Sequence, residues 1–251
     1  MNSPPARPGP PAQSGVDLLA IAAHRDDAEL PCGGTLIKAA RAGYRTAVLD
    51  LTAGETGTRG DAATRAREAE AAARVMGLAV RLNAGLPDAH LHNTDEARRR
   101  LVELIRRLAP RTVILPFPRG RHPDHRVAAE LGRDACYLAG LAKYDAPGEP
   151  HRPEKILYAL AYREDPIKPT FVVDISAEFE AKLEAIRCYA SQFEGALAAG
   201  EIFPTGQPLY DLVRIQNAHY GSLIRAAYGE PFVTSETVRI DDVVTMGVRS
   251  L

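Results

Sequence analysis

The chain has 251 residues, 45% of them hydrophobic and 25% charged, the ordinary balance of a globular protein and enough length for one large α/β domain. A formal net charge of −1 gives no global electrostatic reason to bind nucleic acid or an anionic membrane, so the expected partner is a small-molecule substrate. No window approaches the roughly 18 apolar residues of a membrane span, and the N-terminus lacks the residue order of a signal peptide, so a cytoplasmic protein is expected.

Residues 1–15 carry five prolines (Pro4, Pro5, Pro8, Pro10, Pro11) among Ser, Ala and Gly, the composition of a disordered extension. The fold is expected over residues 16–251 as one domain. Val16 to Ala23 is an apolar run that predicts a first strand, and Gly33-Gly34 reads as a turn into a helix ending near Gly43. Arg45 to Leu51 predicts a second strand, followed by a polar Gly-rich loop, a helix over Ala63 to Met76 stopped by Gly77, and a short third strand over Leu78 to Leu82. From Asp95 to Ala109, Leu101, Leu104, Ile105 and Leu108 recur at helical spacing, with Arg98, Arg99, Arg100, Arg106 and Arg107 expected as a solvated face. Arg111 to Pro116 predicts a fourth strand, with a helix from about Arg126 to Ala139. Strand and helix have then alternated four times, which predicts an α/β, Rossmann-like, mostly parallel sheet flanked by helices. Further strands are expected over Lys155 to Tyr162 and Thr170 to Ile175, helices over Ala177 to Tyr189 and Leu209 to Tyr228, and a tail along the surface.

Two clusters break this pattern of ordinary folding residues. His24, Asp26, Asp27 and Glu29 follow the first strand directly, at the sheet edge where open α/β folds bind ligands. A helix cap needs one carboxylate, whereas three with an imidazole repel one another unless a cation neutralises them. The second cluster, Arg-His-Pro-Asp-His, follows the fourth strand. If strands one and four are neighbours, His24, Asp27, His122 and His125 converge, and two imidazoles with one carboxylate are a standard catalytic zinc set. Of the second pair, His125 reads as the last residue before a helix and His122 as projecting from the loop. Cys32, Cys136 and Cys188 are odd in number and far apart, which predicts buried thiols.

The stretches His-Arg-Asp-Asp-Ala-Glu, Cys-Gly-Gly-Thr-Leu, Asp-Leu-Thr-Ala-Gly-Glu-Thr-Gly-Thr-Arg-Gly, Leu-Pro-Asp and Arg-His-Pro-Asp-His resemble the LmbE/PIG-L-like zinc-dependent N-deacetylases. The branch most similar removes acetyl from N-acetylglucosaminyl malate in bacillithiol biosynthesis, and the likeness runs through Ser191-Gln192-Phe193 to Tyr228-Gly229-Glu230-Pro231-Phe232. The resemblance implies one Zn2+ per chain held by His24, Asp27 and His125. It implies Asp26 as general base toward a metal-bound water, a protonated His122 stabilising the oxyanion, and Asp124 orienting His122. It further implies substrate contacts from Arg65 and Arg59 to an anionic group, Asp88 to sugar hydroxyls and Glu55 in the same pocket, and it suggests a homo-oligomer.

Arg25 stands where the family has Pro, and Pro31 where it usually has Gly. Losing a proline between ligands loosens the loop unless something else holds it, and Arg25 is expected to point away from the metal. The proposed catalytic set is intact, so the expected function is removal of acetyl from an N-acetylglucosaminyl-type small molecule. The alternatives are an amidase or deacylase acting on a thiol conjugate or specialised-metabolite intermediate, and a non-catalytic small-molecule-binding relative. A dinucleotide-dependent oxidoreductase is disfavoured, because the first strand-helix turn lacks Gly-x-Gly-x-x-Gly and its carboxylates repel a pyrophosphate.

Overall fold

The computed structural model describes residues 15–160, 167–194 and 209–248. All but the last residue of the expected N-terminal extension lies outside them. In chain order the elements are β1 (Leu18–Ala22), α1 (Glu29–Arg41), β2 (Thr46–Thr52), α2 (Ala62–Met76), β3 (Val80–Leu86), α3 (Asp95–Leu108), β4 (Thr112–Pro116) and α4 (Pro123–Ala139). Then follow β5 (Lys155–Ala159), β6 (Phe171–Asp174), α5 (Phe179–Arg187), α6 (Ala190–Phe193), α7 (Leu209–Ser222) and β7 (Gly229–Val233).

The strands form one sheet in the order β3-β2-β1-β4-β5-β7-β6. The first five are parallel, and β7 is antiparallel to both β5 and β6. The mostly parallel, Rossmann-like α/β architecture read from the sequence is therefore the fold observed. Strand alternation sorts the core into two layers. Leu19, Ile21, Leu49, Leu51, Val113 and Leu115 face Leu101, Ile105 and Leu131 on α3 and α4. Ala20, Ala22, Val48 and Ile114 face Leu36 of α1, Met76 of α2 and Tyr189. The connections change face between β1 and β4, so the loops leaving those two strands open onto the crevice where such sheets bind ligands.

Local signals explain most element ends. Asp61 caps α2 by accepting from the Thr64 amide at 2.6 Å, and Gly77 ends it at φ 66. Thr94 caps α3 by accepting from Ala97 N. Four expectations shift. Gly33 and Gly34 lie inside α1 rather than before it, because a Cβ on Gly34 would stand 2.7 Å from Ile175: this glycine serves close packing, not a turn. Helix α4 begins at Pro123, not near Arg126, with His122 as its N-cap and His125 in its first turn; proline is favoured at this first helical position. Strand β3 runs on to Leu86, carrying the polar Arg81 and Asn83, whose partners come from neighbouring segments. Strand β7 was not expected; its Glu230 is fully buried and accepts from Gly34 N, Thr35 N, Thr35 Oγ1 and Lys182 Nζ, binding the strand to α1 and α5.

Arg106 also departs from the solvated face expected of it. It is buried and donates to the carbonyls of Ala139, Leu141, Ala146 and Gly148, closing the connection after α4. Arg98, Arg99 and Arg100 pair with Asp95, Asp145 and Glu103 at the surface as solvated side chains do. No helix among the described residues is long and apolar enough to cross a membrane.

Candidate active site

The loop between β1 and α1 closes on itself. The His24 amide donates to Asp27 Oδ2 at 2.8 Å, and His24 Nδ1 lies 3.0 Å from the same oxygen. From the first turn of α4, which follows β4, His125 Nε2 reaches that oxygen at 3.1 Å. One carboxylate oxygen thus sits between two imidazoles delivered by neighbouring strands, and the ligand atoms of His24, Asp27 and His125 all lie within 4.8 Å of one another. His122, His24 and Asp124 form an overlapping group of the same kind.

Carboxylates crowd these imidazoles. Beyond Asp27, His24 Nε2 lies 3.0 Å from Asp88 Oδ1 and 3.3 Å from Asp124 Oδ2. Burial opposes a charged imidazole at His24, but attraction and hydrogen bonding from Asp27, with Asp26 and Asp88 behind, outweigh it and lift the pKa to about 10. Burial raises Asp27 as well, yet His125 and His24 draw it well below the usual carboxylate range. At Asp26 burial and repulsion from Asp27 win over Arg65 and His24, and its pKa rises. The pocket demands positive charge near His24 and Asp27.

The structure brings Asp26 and Arg65 together: Arg65 Nη2 donates to Asp26 Oδ1 at 2.9 Å, and its Nη1 to Gly54 O at 2.8 Å. Arg65, expected to grip a substrate anion, is 5% exposed and spent on Asp26. Gly54 makes room for it, with φ 70 and a would-be Cβ only 2.0 Å from Arg65 Nη1. Arg59 lies on the cavity wall with its guanidinium donating to Glu194 O. Asp88 was expected to meet sugar hydroxyls, but both oxygens are engaged within the chain, Oδ1 at His24 and Ala89 N, Oδ2 at Thr56 N and Oγ1. Glu55 accepts from Asp88 N and stands outside the cavity wall.

His122 differs from expectation too. Its Nδ1 accepts from the Asp124 backbone N–H as the cap of α4, so the ring proton belongs on Nε2, and burial with the nearby His125 and His24 lowers its pKa. Both effects favour the neutral ring with its proton on Nε2. The Asp124 carboxylate accepts from Ala89 N, lies against His24 and stands within 4.8 Å of His122.

Sequence reasoning missed the support beneath the loop. Arg81 holds Asp50 through both carboxylate oxygens at 2.8 and 2.9 Å, meets Glu29 Oε1 at 2.6 Å and donates to the Arg25 carbonyl. The Tyr189 hydroxyl lies against the same carbonyl and 2.8 Å from Glu29 Oε1. Glu29 thus supports the loop without capping α1. The Arg25 side chain turns away from the imidazoles to Ala62 O at 2.6 Å. A signal in the sequence was Arg81 itself, a lone cation among the apolar residues of the expected third strand. Cys32 lies on the cavity wall, but its thiol is buried and donates to Ala28 O, and burial pushes its pKa well up, so it is no nucleophile.

Comparison with known proteins places this geometry. Residues 19–136 match the family model described as PIG-L, GlcNAc-PI de-N-acetylase. A diacetylchitobiose deacetylase of Thermococcus kodakarensis is 32% identical over 191 residues, covering 70% of each chain. The chain belongs to the PIG-L family. Another relative, 31% identical over 180 residues (58% of this chain, 61% of the other), is the 1D-myo-inositol 2-acetamido-2-deoxy-alpha-D-glucopyranoside deacetylase of Rhodococcus erythropolis. Among solved structures, a conserved protein from Thermus thermophilus superposes with a TM-score of 0.81 at 38% identity, over 90% of this chain and 97% of that one. These PIG-L deacetylases hydrolyse N-acetyl amides. The matched segment spans both His-bearing loops of this chain, from the start of β1 through most of α4.

Proposed function

We propose that this protein is a zinc-dependent hydrolase that removes the acetyl group from an N-acetylglucosaminyl-type small molecule. The observation that carries the reading is the Asp27 carboxylate held between His24 and His125, beside Asp26, in the wall of a cavity of about 510 Å³. The donor set fits zinc: two imidazoles and a carboxylate within mutual reach, surrounded by carboxylates in excess of the cations present. Zinc, when bound, supplies a Lewis acid and lowers the pKa of a coordinated water to about 7.

The chain's own residues do the rest. Asp26, with its pKa raised and its Oδ1 fixed by Arg65, takes a proton from the attacking water and returns it to the leaving amine. His122 offers its Nε2 proton to the developing oxyanion, an arrangement that costs no proton transfer of its own. Asp88 and Asp124 hold the His24 ring in place. The names of the two deacetylase relatives support an amino-sugar amide as substrate class. Arg59 on the cavity wall suits an acidic aglycone such as the malate of the bacillithiol branch. The test is elemental analysis of the purified chain with an acetate-release screen over N-acetylglucosaminides with and without an acidic aglycone. About one zinc per chain and acetate release are expected; a metal-free, inert chain would refute the reading.

A further inference from the structure

We propose that the site accepts an acyl group longer than acetyl, seating a straight chain of several carbons in an apolar recess on the β4–β5 side of the candidate metal centre. This rests on the amide-hydrolase reading above and names a substrate class within it.

The cavity has two walls of opposite chemistry, and sheet order separates them. Thr56, Arg59, Arg65 and Asp88 come from the loops after β2 and β3 and from the start of α2, on one side of β1. Leu30 and Pro31 of α1, Ile114 and Phe117 at β4, and Ala159 of β5 line the other side, with Ala22 of β1 between and the exposed Arg121 and His122 of the loop after β4 also on the wall. His24 and Asp27, on the loop leaving β1, and His125, in the first turn of α4, stand at the junction. Ala22 and Ala159, on nearby strands of one sheet face, put methyl groups where larger side chains would close the recess. A cavity of about 510 Å³ is far larger than an acetyl group requires and falls within the range of sites for whole small molecules.

Amide geometry assigns the two walls. A secondary amide is planar and trans, so the acyl chain and the nitrogen substituent leave the reacting carbonyl in opposite directions. A hydroxyl-bearing sugar laid on the apolar wall would lose its hydrogen bonds to water without replacement, a penalty of about 1–3 kcal/mol per group. The sugar therefore takes the Thr56 and Arg59 side, and the acyl chain points over Leu30 and Pro31 toward Ala159. The chemistry is unchanged: water adds to the acyl carbon, the carbon–nitrogen bond breaks, the acyl group leaves as a carboxylate and the amine keeps the proton.

The test uses the full-length zinc-loaded chain. Calorimetric titration with acetate, butyrate and hexanoate should show affinity rising about fourfold per added methylene, the value of a buried CH₂. Turnover of N-acetyl-, N-butanoyl- and N-hexanoylglucosamine should show the same trend in kcat/KM. Ala159→Leu should pull the hexanoyl-to-acetyl ratio down toward one, with the melting temperature checking the fold. Wild-type affinity that is flat or falling from acetate to hexanoate overturns the recess with no variant needed, as does acetyl release lost on chain lengthening. Absence of release from every amide overturns the hydrolase reading itself, and the recess as a substrate site with it.

Discussion

Arg25 stands between the candidate ligands His24 and Asp27, and its surroundings show how the loop keeps its shape. A proline would fix φ there; instead the Arg25 carbonyl takes Arg81 and the Tyr189 hydroxyl, while its side chain anchors on Ala62 O. The loop is held from three directions by tertiary contacts rather than by one ring. Tyr189→Phe should therefore weaken zinc binding by up to about tenfold, read by competition with a chromogenic chelator, with a stability loss of only about 1–2 kcal/mol. Unaltered zinc affinity would mean the hydroxyl does not position the ligands. Asp26→Ala removes the proposed base without touching His24, Asp27 or His125, so zinc content should stay near one per chain while kcat falls about 10²–10⁴-fold. A variant that kept its turnover would exclude Asp26 from proton transfer.

At the scale of elements, the site depends on how α1 is seated. Its glycine at position 34 lies against Ile175, and a Cβ there would meet three of that side chain's carbons within 3.0 Å. Gly34→Ala should destabilise the chain by about 1–3 kcal/mol through overpacking, measured by denaturant unfolding. The same helix is tied to β7 by Glu230, whose Oε1 also meets the fully buried Lys182 at 2.7 Å. Lys182→Met leaves a buried carboxylate short of its cation and should cost about 3–5 kcal/mol, whereas Lys182→Met with Glu230→Gln should cost less. Equal losses in the single and double variants would count against an ion-pair origin. These contacts also explain which elements were legible. The helices with a cap, a periodic apolar face and a stop, α2 and α3, follow from local chemistry. Strand β7 did not, because Gly-Glu-Pro carries turn preferences that burial of Glu230 against Lys182 and α1 overrides.

For the whole molecule, the candidate metal site joins loops from two strands that are neighbours in the sheet and about a hundred residues apart in sequence. A ligand that bridges such loops binds the folded chain far better than the unfolded one. Saturation at a hundred times the dissociation constant should add about 2.7 kcal/mol, or about 5–10 °C in melting temperature, and a chelator should reverse the shift. No shift on adding zinc would argue against a site shared between β1 and β4.

By itself the sequence determined the alternation of strand and helix, the placing of His-x-x-Asp at the end of the first strand, and the resemblance that pointed to the PIG-L family. Apolar periodicity, caps and turn residues act over a few positions, so they can be read along a single chain. Only the tertiary structure decided what each polar side chain does once placed. Arg65 meets Asp26, Asp88 meets His24 and His122 caps α4, pairings that the order of residues does not reveal. Buried polar groups must find partners where water is excluded. Their partners arrive on other elements, at distances set by strand order and face, which no local pattern encodes.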